Sequence, residues 1–90
     1  METIWKFQLD TKDEQAIDMP SGAEILCIQT QYAAPFLWAK VWPDAPSTKR
    51  VFETIGTGHD IPLRTERREY VGTYQLMGGA LVYHVFELKL

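Results

Sequence analysis

The sequence predicts an all-β fold, a single small antiparallel sandwich or partly open barrel of about seven short strands. The clearest observation is that residues 70–76 and 81–88 are rich in aromatic and β-branched side chains and flank Gly78 and Gly79. Paired glycines accept the positive φ angles of a tight turn, so these two segments are typical of a β-hairpin. A second observation is that apolar residues elsewhere alternate with polar ones or form short runs, without the spacing of an amphipathic helix.

The first two strands are predicted near the N-terminus. Residues 4–9 place large apolar side chains at every second position, which predicts a half-buried strand. Residues 16–19 form a short second strand that ends at Pro20, because proline lacks the N–H group that an interior ladder requires. Ser21 and Gly22 then supply a turn.

Two strongly apolar segments follow. Residues 24–32 begin with an apolar run and end with polar residues, so we expect a strand at the centre of a sheet. Residues 36–42 carry Phe36, Trp38 and Trp42 on one face and smaller apolar residues on the other. Both faces of this strand are apolar, and one small domain does not cover both of them easily.

The second half of the chain begins with a proline-containing loop at residues 43–48, and a strand resumes at residues 49–55. Residues 56–68 form the longest predicted loop. The one place where a short helical turn fits is residues 65–70, where good helix formers cluster. Six side chains are expected to be buried: Leu26, Ile28, Leu37, Val41, Val82 and Phe86.

Length and composition favour one domain over residues 1–90. Twelve acidic against nine basic residues give a formal charge of −3, which leaves no excess positive charge for a phosphate backbone. Nonspecific nucleic-acid binding is therefore not expected. No apolar run approaches the roughly twenty residues of a membrane helix, and no signal peptide is recognised. Cys27 is the one cysteine and cannot form an intrachain disulfide, so we expect a cytoplasmic protein without a membrane partner.

The segment whose residues are best suited to ligand binding or acid–base chemistry contains Gly56, Gly58, His59 and Asp60. Glycines let a ligand approach the backbone, and a histidine beside an aspartate has acid–base chemistry. The spacing does not match a phosphate-binding loop or a dinucleotide motif, so a structural turn and a ligand site are both open interpretations. The two histidines and Cys27 lack metal-ligand spacing, and no arrangement of side chains supports catalysis. An enzyme, a metal site and a cofactor are therefore not expected.

Two sets of side chains are candidates for contact with another protein. Arg64, Arg67 and Arg68 form either a positive patch or a solvated loop with weak ion pairs to neighbouring glutamates. The aromatic residues, among them Trp38 and Trp42, either pack in the core or are covered by a partner protein or a second copy of the chain.

Six segments together resemble a family of small uncharacterised phage and prophage proteins. They are MPSGAEIL (residues 19–26), LWA (37–39), PDAP (43–46), GTGH (56–59), GTYQL (72–76) and HVFE (84–87). The resemblance spans nearly the whole chain but brings no reaction, cofactor or catalytic residue. It implies a context, because small phage proteins often bind and block host factors, including CRISPR and other immune machinery.

We therefore expect a non-enzymatic, phage-encoded protein that antagonises a host defence or regulatory protein by occlusion, with aromatic anchors and a charged rim. One alternative is a small-ligand module that sequesters a nucleotide signal. It would use Gly56 to Gly58 for backbone contact, arginines for phosphate and a tryptophan for base stacking. Another alternative is an accessory phage structural protein.

Overall fold

The structure is a computed structural model that describes residues 1–89, and it consists of seven β-strands and one short 3₁₀ turn. All strand pairings are antiparallel, which confirms the predicted all-β class. The described residues contain no helix long and apolar enough to cross a bilayer. In chain order the strands are β1 (Thr3–Gln8), β2 (Glu14–Pro20), β3 (Glu24–Gln31), β4 (Ala34–Val41), β5 (Ser47–Gly56), β6 (Arg67–Leu76) and β7 (Leu81–Lys89).

The strands form two sheets rather than a closed barrel. The three-stranded sheet has the order β1-β4-β3, and the four-stranded sheet has the order β2-β5-β7-β6. Because side chains alternate between the faces of a strand, each sheet contributes one face to a shared core. The core side chains are Leu9, Met19, Ala23, Ile28, Leu37, Ala39, Val41, Phe52, Tyr74 and Val85.

The predicted hairpin at the C-terminal end is confirmed. Leu76 of β6 pairs with Leu81 of β7, and the intervening turn contains Gly78 at φ 66° and Gly79 at φ 96°. These angles lie in the left-handed region that glycine adopts at low cost. The two glycines from which the hairpin was predicted therefore form its turn.

The prediction that residues 24–32 form a central strand is wrong. Strand β3 lies at the edge of the three-stranded sheet, and β4 occupies the centre. A β-bulge interrupts the pairing between Ile25 and Cys27, and Leu26 is 53% exposed instead of buried. An extra residue in a bulge breaks the alternation of faces, which is why an apolar run here does not mean burial on both sides.

The remaining predictions for the core have mixed outcomes. Ile28, Leu37 and Val41 are buried as predicted, whereas Val82 and Phe86 are only half-buried. The predicted long loop is present at residues 57–66. Residues 65–70, the one place where a short helical turn would fit, form none, because β6 begins at Arg67 and pairs there with β7.

The loop at residues 57–66 is long for a topological reason. It connects β5 to β6, and these strands are not neighbours because β7 lies between them. The chain must therefore pass the end of β7 before it rejoins the sheet. This course brings charged loop residues beside β5 and shapes one of the two surfaces described next.

Candidate binding surfaces

The first surface consists of the outward side of β4 and the residue that follows this strand; we call it the aromatic face and define it as Phe36, Trp38 and Trp42. On β4 the alternate residues Leu37, Ala39 and Val41 are buried in the core, and the side chains between them are half-buried on the opposite side of the sheet. The sequence predicted this division of faces. Trp38 and Trp42, both predicted as binding residues, lie on the outward side.

Polar side chains of the neighbouring strands border the aromatic face. In the register of the sheet, Lys6 of β1 and Cys27 of β3 flank Trp38. Gln8 and Gln29 flank Phe36 in the same way. Phe36 therefore lies between two glutamines, and Trp38 lies between a lysine and a cysteine.

Two lysines lie over the rings of the aromatic face. The Lys6 Nζ atom is 4.7 Å from the ring centroid of Phe36 and 5.8 Å from that of Trp38. The Lys40 Nζ atom is 5.5 Å from the ring centroid of Trp42, and a hydrogen bond to Glu24 raises the pKa of Lys40. Long lysine stems cover apolar surface in this way while their charges stay in water.

The second surface is a cleft of about 560 Å³ at one end of the four-stranded sheet, which we call the end cleft. It lies where β5 extends past the first residue of β2, so the β1–β2 loop and the β5–β6 loop both border it. Its lining residues are Thr11, Lys12, Asp13, Glu14, Glu53, Thr54, Ile55, Gly56, His59, Asp60, Pro62, Arg64 and Tyr83.

The glycine-containing segment predicted from the sequence borders this cleft. Gly56 and His59 line it, and the His59 backbone N–H donates to the Gly56 carbonyl at 3.0 Å. A Cβ atom on Gly56 would lie 2.9 Å from the His59 Nδ1 atom, so a larger residue would displace the imidazole ring. Gly58 is exposed at φ 85° and supplies the turn between them. The segment is both a turn and the wall of a cleft.

One wall of the end cleft is closed by ion pairs around Glu53, a carboxylate that is only 4% exposed. The Arg68 Nε atom lies 2.5 Å from Glu53 Oε1, and the Arg64 Nε atom lies 3.1 Å from Glu53 Oε2. Arg64 also pairs with Glu14 at 2.6 Å and with Glu66 at 2.9 Å. Two of the three predicted binding arginines therefore hold the β5–β6 loop against the sheet.

The third predicted arginine, Arg67, is placed differently. Its side chain is mostly exposed, and its closest acidic partner is Glu69 at 3.8 Å. Of the three, Arg67 is the arginine presented to solvent.

The other wall of the end cleft carries side chains without partners. Within residues 1–89 the side chains of Lys12, Asp13, His59 and Asp60 take part in no hydrogen bond or ion pair, although all four line the cleft. The hydroxyl of Thr54 is buried and also has no partner among these residues. Nothing in the sequence singled out Lys12, and the only signal for Thr54 was a polar residue inside an apolar strand.

A further ion pair at the opposite end of the four-stranded sheet was also missed. Arg50 donates from Nε to Glu87 Oε2 at 2.6 Å and from Nη2 to Glu87 Oε1 at 2.8 Å. Burial alone would raise the pKa of Glu87, but the hydrogen bonds and charge of Arg50 outweigh burial and lower it. Such a two-point pair orients both side chains and stabilises the edge of the core.

The two surfaces lie on different sheets. No tryptophan lines the end cleft, and its one arginine is already paired with glutamates. The arginines, glycines and tryptophans that the nucleotide interpretation combined do not meet at one site.

The chain belongs to a family described as a domain of unknown function, DUF7352, whose model matches residues 1–90. No curated protein and no solved structure matches the chain.

Proposed function

We propose that this protein is a phage-encoded binding protein that occludes a host defence or regulatory protein, such as a CRISPR component, in the cytoplasm of the host cell. The observation that carries the proposal is the aromatic face. The outward side of a sheet is normally polar where it meets water, yet the central strand of this sheet carries half-buried Phe36 and Trp38 there, and half-buried Trp42 follows directly after the strand.

The chemistry of this face fits protein recognition. Tryptophan is enriched among the residues that contribute most to binding energy, and such residues lie centrally within a polar surround. Trp38 lies on the central strand of its sheet, with Lys6 on one side, and glutamines flank Phe36 next to it. Covering these rings would remove apolar surface from water without any chemical step.

The charges around the face indicate what kind of surface the partner presents. Lys6 lies directly over the rings, so an acidic group on the partner would complement it, whereas Lys40 is already paired with Glu24 at 2.9 Å. A host protein is the partner that the resemblance to phage proteins favours. A second copy of the chain is the alternative partner.

The proposal is tested by capture from host lysate with a tagged protein, comparing wild type with Trp38→Ala. We expect the captured partner to be lost from the variant, because Ala removes the central ring of the face. Tyr32→Ala is the control, since Tyr32 is an aromatic residue that is 94% exposed at the β3–β4 turn and is not one of the three residues of the face. Lys6→Glu is a second variant that leaves the rings in place and should weaken binding to an acidic partner.

Thermal unfolding of each variant separates loss of binding from loss of fold. If folded Trp38→Ala and Lys6→Glu both capture the partner as well as wild type does, the aromatic face is not the contact surface. Equal loss of capture in Tyr32→Ala would contradict the assignment in the same way.

A small-ligand module is the second candidate, because Gly56 and His59 line the end cleft. The paired state of Arg64 argues against a nucleotide phosphate as its ligand. Thermal-shift measurements with cyclic nucleotides and ADP-ribose derivatives test this candidate directly.

A further inference from the structure

We propose that the free edge of β1 pairs with β1 of a second copy of the chain, in antiparallel register around Trp5. The pairing joins the three-stranded sheets of the two copies into one continuous sheet. The inference goes beyond the proposed function, because it concerns the backbone edge of β1 and not the aromatic face. It rests on the direction of the backbone groups of β1, on its exposed apolar side chains and on the absence of edge protection within this strand.

The hydrogen bonds of β1 show which of its backbone groups are free. β1 is an end strand of its sheet and pairs with β4 on one side only. The Leu9 N–H donates to the Pro35 carbonyl at 3.0 Å, in the register that pairs the two strands. Hydrogen-bonded and non-hydrogen-bonded pairs alternate along an antiparallel ladder, so the odd-numbered residues of β1 bond to β4. The N–H and C=O groups of Ile4, Lys6 and Gln8 therefore point to the free edge.

The edge also exposes apolar side chains on both sides of the sheet. Ile4 is 58% exposed, and Trp5 is 42% exposed. Trp5 pairs with the buried residue Ala39, so it lies on the core side of the sheet, and its ring centroid is 6.4 Å from that of Phe7. A second copy placed against β1 would cover this ring and remove apolar surface from water.

The other strand edges carry features that prevent such pairing. Proteins protect edge strands with prolines, bulges and charged side chains. β2 ends at Pro20, and bulges interrupt β3 and β6. The edges of β3 and β6 also lie against each other, since a Cβ atom on Gly72 would be 3.3 Å from the Ile28 Cβ atom. By contrast, residues 3–8 of β1 pair with β4 without a bulge and contain no proline.

The single charged side chain of β1 does not guard its edge. Lysine is a common protective residue on edge strands, and β1 contains Lys6. The Lys6 Nζ atom, however, donates to Gln31 Oε1 at 2.7 Å, and Gln31 lies on β3 beyond the central strand. The side chain therefore extends across the sheet over the ring of Phe36, away from the free edge.

The sequence of β1 is complementary to itself around Trp5. A two-fold axis at this residue places the Trp5 rings of the two copies opposite each other and places Ile4 opposite Lys6. Ile4 and Lys6 both have free backbone groups, so each such pair exchanges two hydrogen bonds. Aromatic cross-strand pairs stabilise a sheet, and no like charges oppose each other in this register. An axis at Lys6 would oppose two lysines, and an axis at Ile4 would separate the two Trp5 rings.

The pairing has a consequence for the aromatic face. A two-fold axis between antiparallel strands is perpendicular to the sheet, so the outward sides of both copies lie on the same side of the joined sheet. The two β4 strands are then three strand spacings apart, about 14 Å. A partner of the aromatic face would meet two such faces in the dimer.

The experiment is sedimentation equilibrium of the purified full chain from about 10 µM to about 1 mM. We expect wild type to form a dimer and Ile4→Pro to raise its dissociation constant at least about tenfold, because proline removes an N–H that points to the free edge and makes no bond to β4. Ala16→Pro is the matched control on β2. Ala16 is exposed, and the hydrogen bond from Thr54 N–H to the Asp13 carbonyl at 3.0 Å places the Ala16 N–H on the free edge of β2 by the same alternation. This variant should dimerise like wild type.

Disulfide trapping tests the register. Trp5→Cys is made together with Cys27→Ser, so that residue 5 carries the single thiol. Opposite residues of a non-hydrogen-bonded pair have Cα atoms about 4.5 Å apart, a distance that a disulfide spans. Oxidation should therefore trap a covalent dimer, which mass spectrometry detects. Ile4→Cys in the same background is the control and should form much less disulfide, because its counterpart in the second copy is displaced along the strand.

A monomer for wild type at about 1 mM would overturn the proposal. Equal dimerisation of wild type and folded Ile4→Pro would overturn it as well, as would disulfide formation through Ile4→Cys in preference to Trp5→Cys. Thermal unfolding establishes that each variant is folded, and the cysteine pair decides the question without a proline. Trp38→Ala should remain dimeric, and the measurement needs no host lysate, so failure of this inference and failure of the proposed function are distinguishable.

Discussion

Replacement of Glu53 by glutamine tests whether buried ion pairs hold the β5–β6 loop on the sheet. The carboxylate is 4% exposed and pairs with Arg68 at 2.5 Å and with Arg64 at 3.1 Å. Glu53→Gln keeps the shape but removes the charge that faces both guanidinium groups. Arg64 retains Glu14 and Glu66, so the loss is smaller than for a fully isolated buried charge.

We expect a destabilisation of about 2 kcal/mol, the value of charge-assisted hydrogen bonds that are lost in a buried setting. For a domain of this size that corresponds to a decrease in Tm of roughly 10 °C. In urea the midpoint should fall by about 2 M, if the m-value is about 1 kcal/mol/M.

The control is Glu69→Gln, the same substitution in an exposed pair with Arg67 at 3.8 Å. Such a pair contributes about 0.5 kcal/mol or less, so this variant should unfold like wild type. Hydrogen exchange should also show faster exchange at residues 57–66 in Glu53→Gln only. Unfolding of both variants at the same urea concentration would contradict a stabilising role of the Glu53 ion pairs, as would loop amides in Glu53→Gln that stay as protected as in wild type.

Two further predictions concern the β3–β4 turn and the Arg50–Glu87 pair. Ala33 has φ 61°, so Ala33→Gly should stabilise the protein by about 0.5–1 kcal/mol in urea unfolding; a loss of stability would contradict the positive φ. The pKa of Glu87 is lower in the fold than its ordinary value of 4.5, so its contribution is present above pH 4.5 and is lost as the pH falls through the lowered value. Urea unfolding across this range should show that acidification lowers the free energy of unfolding less in Glu87→Gln than in wild type. Equal decreases in both proteins would contradict a stabilising role of the ionised Glu87 carboxylate.

Features that depend on neighbouring residues were predictable from the sequence. The β6–β7 hairpin follows from two glycines between apolar strands, and the two faces of β4 follow from its alternation. The loop at residues 57–66 was also recognised by composition, because glycine, proline and charged residues interrupt the apolar pattern.

Features that depend on distant pairing were not predictable in the same way. The edge position of β3 is set by its pairing with β4 alone, and the bulge that exposes Leu26 has no glycine to mark it. In the sequence, the charged run from Arg64 to Arg68 is typical of a solvated loop. Only the pairing of β6 with β7 in the fold brings Arg68 within reach of Glu53. The end cleft likewise exists only because β5 extends past β2 and two separate loops meet there.

We propose the aromatic face as the contact surface, and side-chain carbene footprinting of the protein alone and in complex with the partner captured from host lysate tests it. We expect Phe36, Trp38 and Trp42 to be labelled in the free protein and protected in the complex, while Tyr32 stays labelled in both. Protection confined to the end cleft or to the four-stranded sheet, with Trp38 still labelled in the complex, would contradict it.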